Sequence, residues 1–217
     1  MSVLSFDELN ALGKKRRSEP IEEYYNPMRI SRQRRQKRIE VARKYRDALL
    51  EYMHFVDDYA EYGYIDEPAT ELLRSSIVEL IEDAFIVAKT TERNVDAVYR
   101  EYADRISKQI HESTMRNKDK DAYFLSEDRA TLIGEDESNA LCGYDELQEA
   151  FGFGKSKKTW HTVGDKAVRD THRAVDGKTV PLDKPFSVGG VEMMVPRDPE
   201  VDAPEETSGC RCWLTFS

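Results

Sequence analysis

Cysteine, histidine and aspartate gather in the last third of the chain in a pattern that points to metal or thiol chemistry. Cys210 and Cys212 flank Arg211, and two cysteines at i and i+2 of an extended segment face one side. That arrangement suits joint ligation of a soft metal better than an unstrained bridge between the two. With Cys142 the cysteines number three, an odd set that argues against a disulfide framework. A closed zinc site takes four ligands. His172, Cys210 and Cys212 supply three, and His161 or Asp165 is the candidate fourth. In the competing reading, His172 is hydrogen-bonded inside a small core and both cysteines pack as small hydrophobes. Asp165, Arg169 and His172 fall at i, i+4 and i+7, which on a helix would stack acid, guanidinium and imidazole along one face and let Asp165 pair with Arg169. Arg211 should point away from its flanking cysteines, toward a carboxylate or a phosphate. Residue types alone also allow a cysteine nucleophile with His172 and Asp165. The chain has no Gly-rich phosphate loop, Gly-x-Ser-x-Gly elbow or His-Glu-x-x-His helix, and its four histidines are scattered. The expectation is no enzyme, and no cofactor beyond a zinc ion.

The second cluster is electrostatic. Arg32, Arg34, Arg35, Lys37 and Arg38 lie within two helical turns, so several could meet phosphates without reading base sequence. Residues 1–46 hold 13 Lys and Arg against 6 Asp and Glu, a net +7, while the remainder holds 20 against 36, a net −16. A basic arm ahead of an acidic body fits contact with double-stranded DNA at the arm, or a protein partner with an acidic surface. Lys155, Lys157, Lys158, Lys166, Arg169 and Arg173 form a weaker DNA-facing candidate.

Long helices must position these clusters. Residues 1–27 mix charge with Pro20, Tyr24, Tyr25 and Pro27 without sustained periodicity and read as a flexible arm. From about 28 to 62, Ala42, Tyr45, Leu49, Met53, Val56 and Ala60 recur at three- and four-residue steps, one face of a long helix that Gly63 stops. A second helix is expected over about 68–89, with Leu72, Leu73, Leu80, Ile81 and Phe85 on its buried side. A third, capped by Thr90 or Thr91, should run over about 92–113 on a stripe of Val95, Val98, Tyr99, Tyr102, Ile106 and Ile110. A fourth spans about 126–151, although Gly134 and Gly143 speak against it. Glycines and prolines then crowd residues 152–217, which calls for short strands and turns around one helix, with Trp160 and Phe186 anchoring a small core. The fold class is α+β: antiparallel long helices over 28–151, then a small α+β domain over 152–217.

At 217 residues, 39% hydrophobic and 35% charged, the chain can build a core but keeps a high surface-to-core ratio, as a subunit that completes itself against partners does. Its longest uncharged apolar run, Ala84 to Ala88, is far short of the roughly 20 residues of a membrane span. Met1 to Asn10 carries Asp7 and Glu8 with no apolar stretch before the Lys14–Arg17 basic run, unlike a secretory leader, so the chain is expected to stay in the cytoplasm.

One ordered set of residues is specific. Lys158-Thr159-Trp160, Asp165, Val168-Arg169, His172, Asp176-Gly177, Pro185-Phe186, Gly189-Gly190, Pro196, Asp198-Pro199, Glu205-Glu206 and Cys210-Arg211-Cys212 follow one another over about residues 155–214. This run resembles the C-terminal domain of the phage Mu F-like minor head, or head morphogenesis, proteins. A fainter stretch upstream, Arg129-Ala130 to Ile133 with Glu137, Asn139-Ala140 and Gly143, is similar to the helix that precedes that domain. Gly209 stands where the family usually has Asn, Glu135-Asp136 replaces the usual Arg-Thr, and Thr207 stands where some members carry a further histidine of a zinc-like set. The resemblance implies a minor capsid protein of a tailed phage, a structural component that assists head assembly. Its implied partners are the portal protein, the major capsid protein and packaged viral DNA. Its implied location is the virion, in the capsid interior or at the portal vertex, after assembly in the host cytoplasm. The alternative is a free-standing DNA-binding accessory protein with a small Cys/His domain.

Overall fold

The computed structural model describes residues 20–59, 66–84 and 95–217. The Lys14–Arg17 run, Gly63, Phe85, Thr90, Thr91 and the expected helix ends near 62 and 89 lie outside those residues. A short helix α1 (Ile21–Tyr25) leads into α2 (Arg32–Tyr59), α3 (Asp66–Ala84), α4 (Val95–Asn117) and, after a 3-10 turn at Ala122–Leu125, α5 (Glu127–Gly152). The four long helices run alternately up and down. Lys44 faces Asp83 across α2 and α3, Arg74 faces Asp104 across α3 and α4, Tyr102 meets Glu137 across α4 and α5, and Arg38 meets Glu146 across α2 and α5.

Each helix buries the stripe its spacing dictates: Tyr45, Leu49, Tyr52, Met53 and Val56 on α2, Ala69, Leu73, Ile77, Leu80 and Ile81 on α3, and Tyr99, Tyr102, Ala103 and Ile110 on α4. His111 ties three helices together, its Nδ1 2.9 Å from the Tyr52 hydroxyl and its Nε2 3.2 Å from Asp66 Oδ1. The α5 helix starts where Ser126 Oγ accepts the Arg129 amide at 3.3 Å, with Glu127 and Asp128 in the first turn suited to the positive end of the helix dipole. Gly134 does not weaken this helix. A Cβ built there would lie 2.6 Å from the Ala42 carbonyl oxygen of α2, so the glycine is what lets the two backbones approach so closely.

Of the expected arm over 1–27, residues 1–19 lie outside the described residues, and residues 20–27 carry a short helix packed on the bundle. Ile21, Tyr24, Tyr25, Met28 and Ile30 are buried with Ile39, Ala42 and Trp213, because α1 lies across α5. There the Tyr24 hydroxyl donates to Asp136 Oδ1 at 2.6 Å and the Tyr25 hydroxyl to the Glu135 carbonyl at 3.1 Å.

After α5 the chain forms β1 (Lys157–His161), α6 (Asp170–Arg173), β2 (Thr179–Pro181), β3 (Phe186–Val188), β4 (Val191–Met193), α7 (Pro204–Thr207) and β5 (Trp213–Phe216). β1 is the centre of an antiparallel sheet ordered β2-β1-β5, with Thr159 opposite Thr179 on one side and Thr215 on the other. β3 and β4 form a separate hairpin turning at Gly189 (φ 60°) and Gly190 (φ 88°), the positive pair that a tight two-residue turn requires. No second core begins at residue 152. Tyr144 and Leu147 of α5 belong to the same buried cluster as Trp160, Val175, Phe186, Cys210, Cys212 and Leu214. No described helix is long and apolar enough to cross a membrane.

Candidate functional site

The fold brings His172, Cys210 and Cys212 together. All three are buried, at 2%, 2% and 3% exposure, and their ligating atoms lie within 4.8 Å of one another. His172 Nδ1 is 3.4 Å from each sulfur. The imidazole comes from the single turn of α6, and the sulfurs from the extended residues leading into β5, where Cys210 and Cys212 face inward. Arg211, between them, turns outward to pair with Asp165. Trp160 closes one side, its ring edge-on to His172 at 5.9 Å and to Phe186 at 5.2 Å.

Asp165, Arg169 and His172 do not share a helical face. The helix begins only at Asp170, since residues 164–168 turn about Gly164 (φ 73°). Arg169 donates instead to the Ser208 carbonyl, and Asp165, besides Arg211, accepts the Ala167 amide at 3.0 Å. His161 is turned away from the sulfurs, 2.8 Å from the Thr215 hydroxyl and stacked on Trp213. Neither candidate fourth ligand reaches the cluster.

The electrostatics show what the trio can hold. The hydrogen bond from Cys212, together with His172, holds the Cys210 thiol well below the usual range despite burial. Cys212 is pushed up by its hydrogen bond to Cys210 and by burial. Burial pulls His172 down, but the hydrogen bond and charge of Cys210 more than offset it and leave the imidazole above its ordinary value. Two cysteine sulfurs beside an imidazole nitrogen are a soft donor set. Zinc-bound nitrogen and sulfur at about 2.0 and 2.3 Å in a tetrahedron stand roughly 3.5 Å apart, which matches the two 3.4 Å separations. Trp160 Nε1, beside the Cys212 sulfur, offsets only a small part of the rise that Cys210 and burial impose on that thiol. These residues fit a zinc-class ion at three coordination positions, and among the described residues no fourth ligand joins them.

The basic stripe of α2 is largely spent inside the protein. Arg34 Nε donates to Glu146 Oε1 at 2.7 Å and Arg38 Nη2 to Glu146 Oε2 at 3.0 Å, so the two guanidiniums grip one carboxylate of α5. Lys37 Nζ reaches Asp145 Oδ2 at 2.7 Å, and Arg35 bonds the Met28 carbonyl. Arg38 is 1% exposed, its guanidinium turned into the protein, while Arg32 stays on the surface. Burial alone would raise the Glu146 carboxyl, yet Arg38 and Arg34 bring it down to about 2. Lys158 also leaves the second basic patch: its buried Nζ donates to the Met194 carbonyl at 2.8 Å and sits over the Phe186 ring.

Composition did not reveal the residues that join these clusters. Asn139 stands between them, its Oδ1 accepting from Arg38 Nε at 3.0 Å while its Nδ2 donates to the Cys212 carbonyl at 3.0 Å. Arg197, itself at φ 58°, ties the loop after β4 to α5 through Glu137 at 2.6 Å. Glu206 lies behind His172, its Oε2 3.1 Å from Nε2. Glu206 and Asn139 both lie within the quoted runs, but spacing carries no sign of what they contact. Two of the departures from the family pattern touch one another, the Gly209 amide donating to Asp136 Oδ2 at 3.0 Å. Gly209 has φ 65°, a conformation that glycine and asparagine both accept, so the exchange of Asn for Gly preserves the backbone. Gly177 is likewise left-handed (φ 72°) and donates to the Trp160 carbonyl at 2.8 Å, and Pro196 is buried beside Arg197.

An antiparallel helical bundle sharing its core with a small sheet, with a His/Cys/Cys cluster at the junction, defines an α+β protein. The chain belongs to the family of Phage Mu protein F like proteins, whose model matches residues 87–215. The match begins well upstream of the 155–214 motif run and takes in α4 and α5, the helices on which the motif residues pack. The family places the chain among phage head morphogenesis proteins. No curated protein matches the chain, and no solved structure does.

Proposed function

We propose that this chain is a non-catalytic minor component of the head of a tailed phage, held at the portal and the inner capsid wall, where it assists head assembly. The observation that carries the reading is the family match over 87–215, in which Trp160, His172, Phe186, Cys210 and Cys212 form one buried core. Burial of both sulfurs and the imidazole supports a structural role, since a nucleophile has to meet its substrate. Contact with packaged DNA is assigned to the surface cations that internal pairing leaves exposed, Arg29 and Arg32, rather than to Arg34, Lys37 and Arg38.

Mass spectrometry of purified particles, combined with crosslinking to the portal protein, tests the assignment. The expected result is this chain at low copy and crosslinked to portal. Absence from both mature particles and immature heads would overturn the reading in favour of the free-standing DNA-binding protein. For the DNA contact, Arg29→Glu with Arg32→Glu should weaken salt-dependent DNA retention, and retention unchanged at every salt concentration would refute it.

A further inference from the structure

We propose that Glu206 is the positioning residue that turns His172 into a metal donor, fixing its imidazole so that Nδ1, Cys210 Sγ and Cys212 Sγ form a three-donor cradle for a zinc-class ion. The inference rests on the fit of the trio to such an ion. His172 Nε2 lies 3.1 Å from Glu206 Oε2. A hydrogen bond between them places a hydrogen on Nε2 and directs the other ring nitrogen, Nδ1, toward the sulfurs. Nδ1 faces both sulfurs at 3.4 Å, where a bound ion would take the place of the proton in its hydrogen bond to Cys210. A carboxylate behind a ligating histidine is the outer-shell arrangement that orients the ring and raises its basicity.

The surroundings hold Glu206 in this role. Its Oε2 also accepts from the Thr171 hydroxyl at 2.8 Å, one residue before the histidine it orients. On its other side the carboxylate lies against Gly189, where a Cβ would come within 1.9 Å of Oε1. The bare glycine of the β3–β4 turn therefore opens the space that Glu206 fills. The carboxylate sits on the far side of the ring from the sulfurs, so Glu206 orients a ligand and does not itself occupy the fourth position.

Two measurements on the full chain test this. NMR of 15N-histidine-labelled, metal-stripped protein should show His172 Nε2 protonated in the wild type, and Glu206→Ala should redistribute that proton. Titration with cobalt(II) should give the thiolate charge-transfer and d–d bands of a tetrahedral sulfur-containing site, with affinity about ten- to a hundredfold weaker in Glu206→Ala. Glu206→Gln keeps the size and an accepting oxygen, so its loss should be smaller, and far-UV circular dichroism establishes that each variant is folded. An unprotonated His172 Nε2 in the wild type, or unchanged cobalt affinity in folded Glu206→Ala, overturns the role of Glu206. Absence of cobalt bands in the wild type overturns the cradle itself, while the metal-free 15N spectrum still reports separately on Glu206.

Discussion

The α2 stripe and the His172 cluster both gather residues whose types promise contact with something outside the chain, yet the fold treats them in opposite ways. In the stripe, donors meet acceptors: Arg34 and Arg38 saturate Glu146, and Lys37 takes Asp145. In the cluster, two sulfurs and a ring nitrogen that can each give a lone pair to a metal converge on one another. The difference shows that a cluster's residue types set its chemistry, but what satisfies each group sets its role. The two are also physically joined, since one amide, Asn139, bonds Arg38 of the stripe and the Cys212 backbone of the cluster.

The sharpest way to break this contrast is Glu146→Ala. It leaves Arg38, 1% exposed, with a buried charge and no carboxylate, and should cost about 3–5 kcal/mol of unfolding free energy in urea. A loss below 1 kcal/mol would return the stripe to the surface-contact reading.

Titrating the same pair gives a slightly smaller effect. The Glu146 carboxyl is held at about 2 against an ordinary 4.5, so its contribution is fully present above 4.5 and lost as pH falls through about 2. At about 1.4 kcal/mol per pH unit this amounts to roughly 3 kcal/mol, visible as a falling urea midpoint that Glu146→Gln should flatten. Asp145 works in the opposite direction, because burial raises it and favours its protonated form in the folded state.

Asn139→Leu tests the joint between the clusters. It orphans Arg38 Nε and the Cys212 carbonyl, at a cost of about 2 kcal/mol, and should disturb the His172 imidazole resonances at the same time. Arg32→Glu should be the smallest perturbation, within about 0.5 kcal/mol by thermal unfolding, because Arg32 lies on the solvent side of the same helix turn.

Much of the helical architecture was legible, because stripes such as Tyr45, Leu49, Met53 and Val56 report burial directly through their spacing. The motif residues Trp160, His172, Cys210 and Cys212 were legible as a group because their types are few and chemically distinct. Three things were hidden, each for a physical reason. Gly134 reads as a helix breaker, and only the backbone of α2 lying against it shows a close-packing site. Tyr24 and Tyr25 lie in a segment too short to show periodicity, and their anchoring depends on Asp136 and Glu135 more than a hundred positions away. The single-turn helix α6 broke the expected Asp165–Arg169 pair, because the Gly164 turn delays the helix start and sends Asp165 to Arg211.

The long helices and the region beyond residue 152 share one core, joined at α5. Both tryptophans, Trp160 and Trp213, lie beyond residue 152, whereas the long helices precede it. Urea unfolding followed in parallel by tryptophan fluorescence and by far-UV circular dichroism therefore watches the two regions separately. The account predicts one coincident transition. A fluorescence transition displaced from the helical one would show two independently folding domains and contradict it.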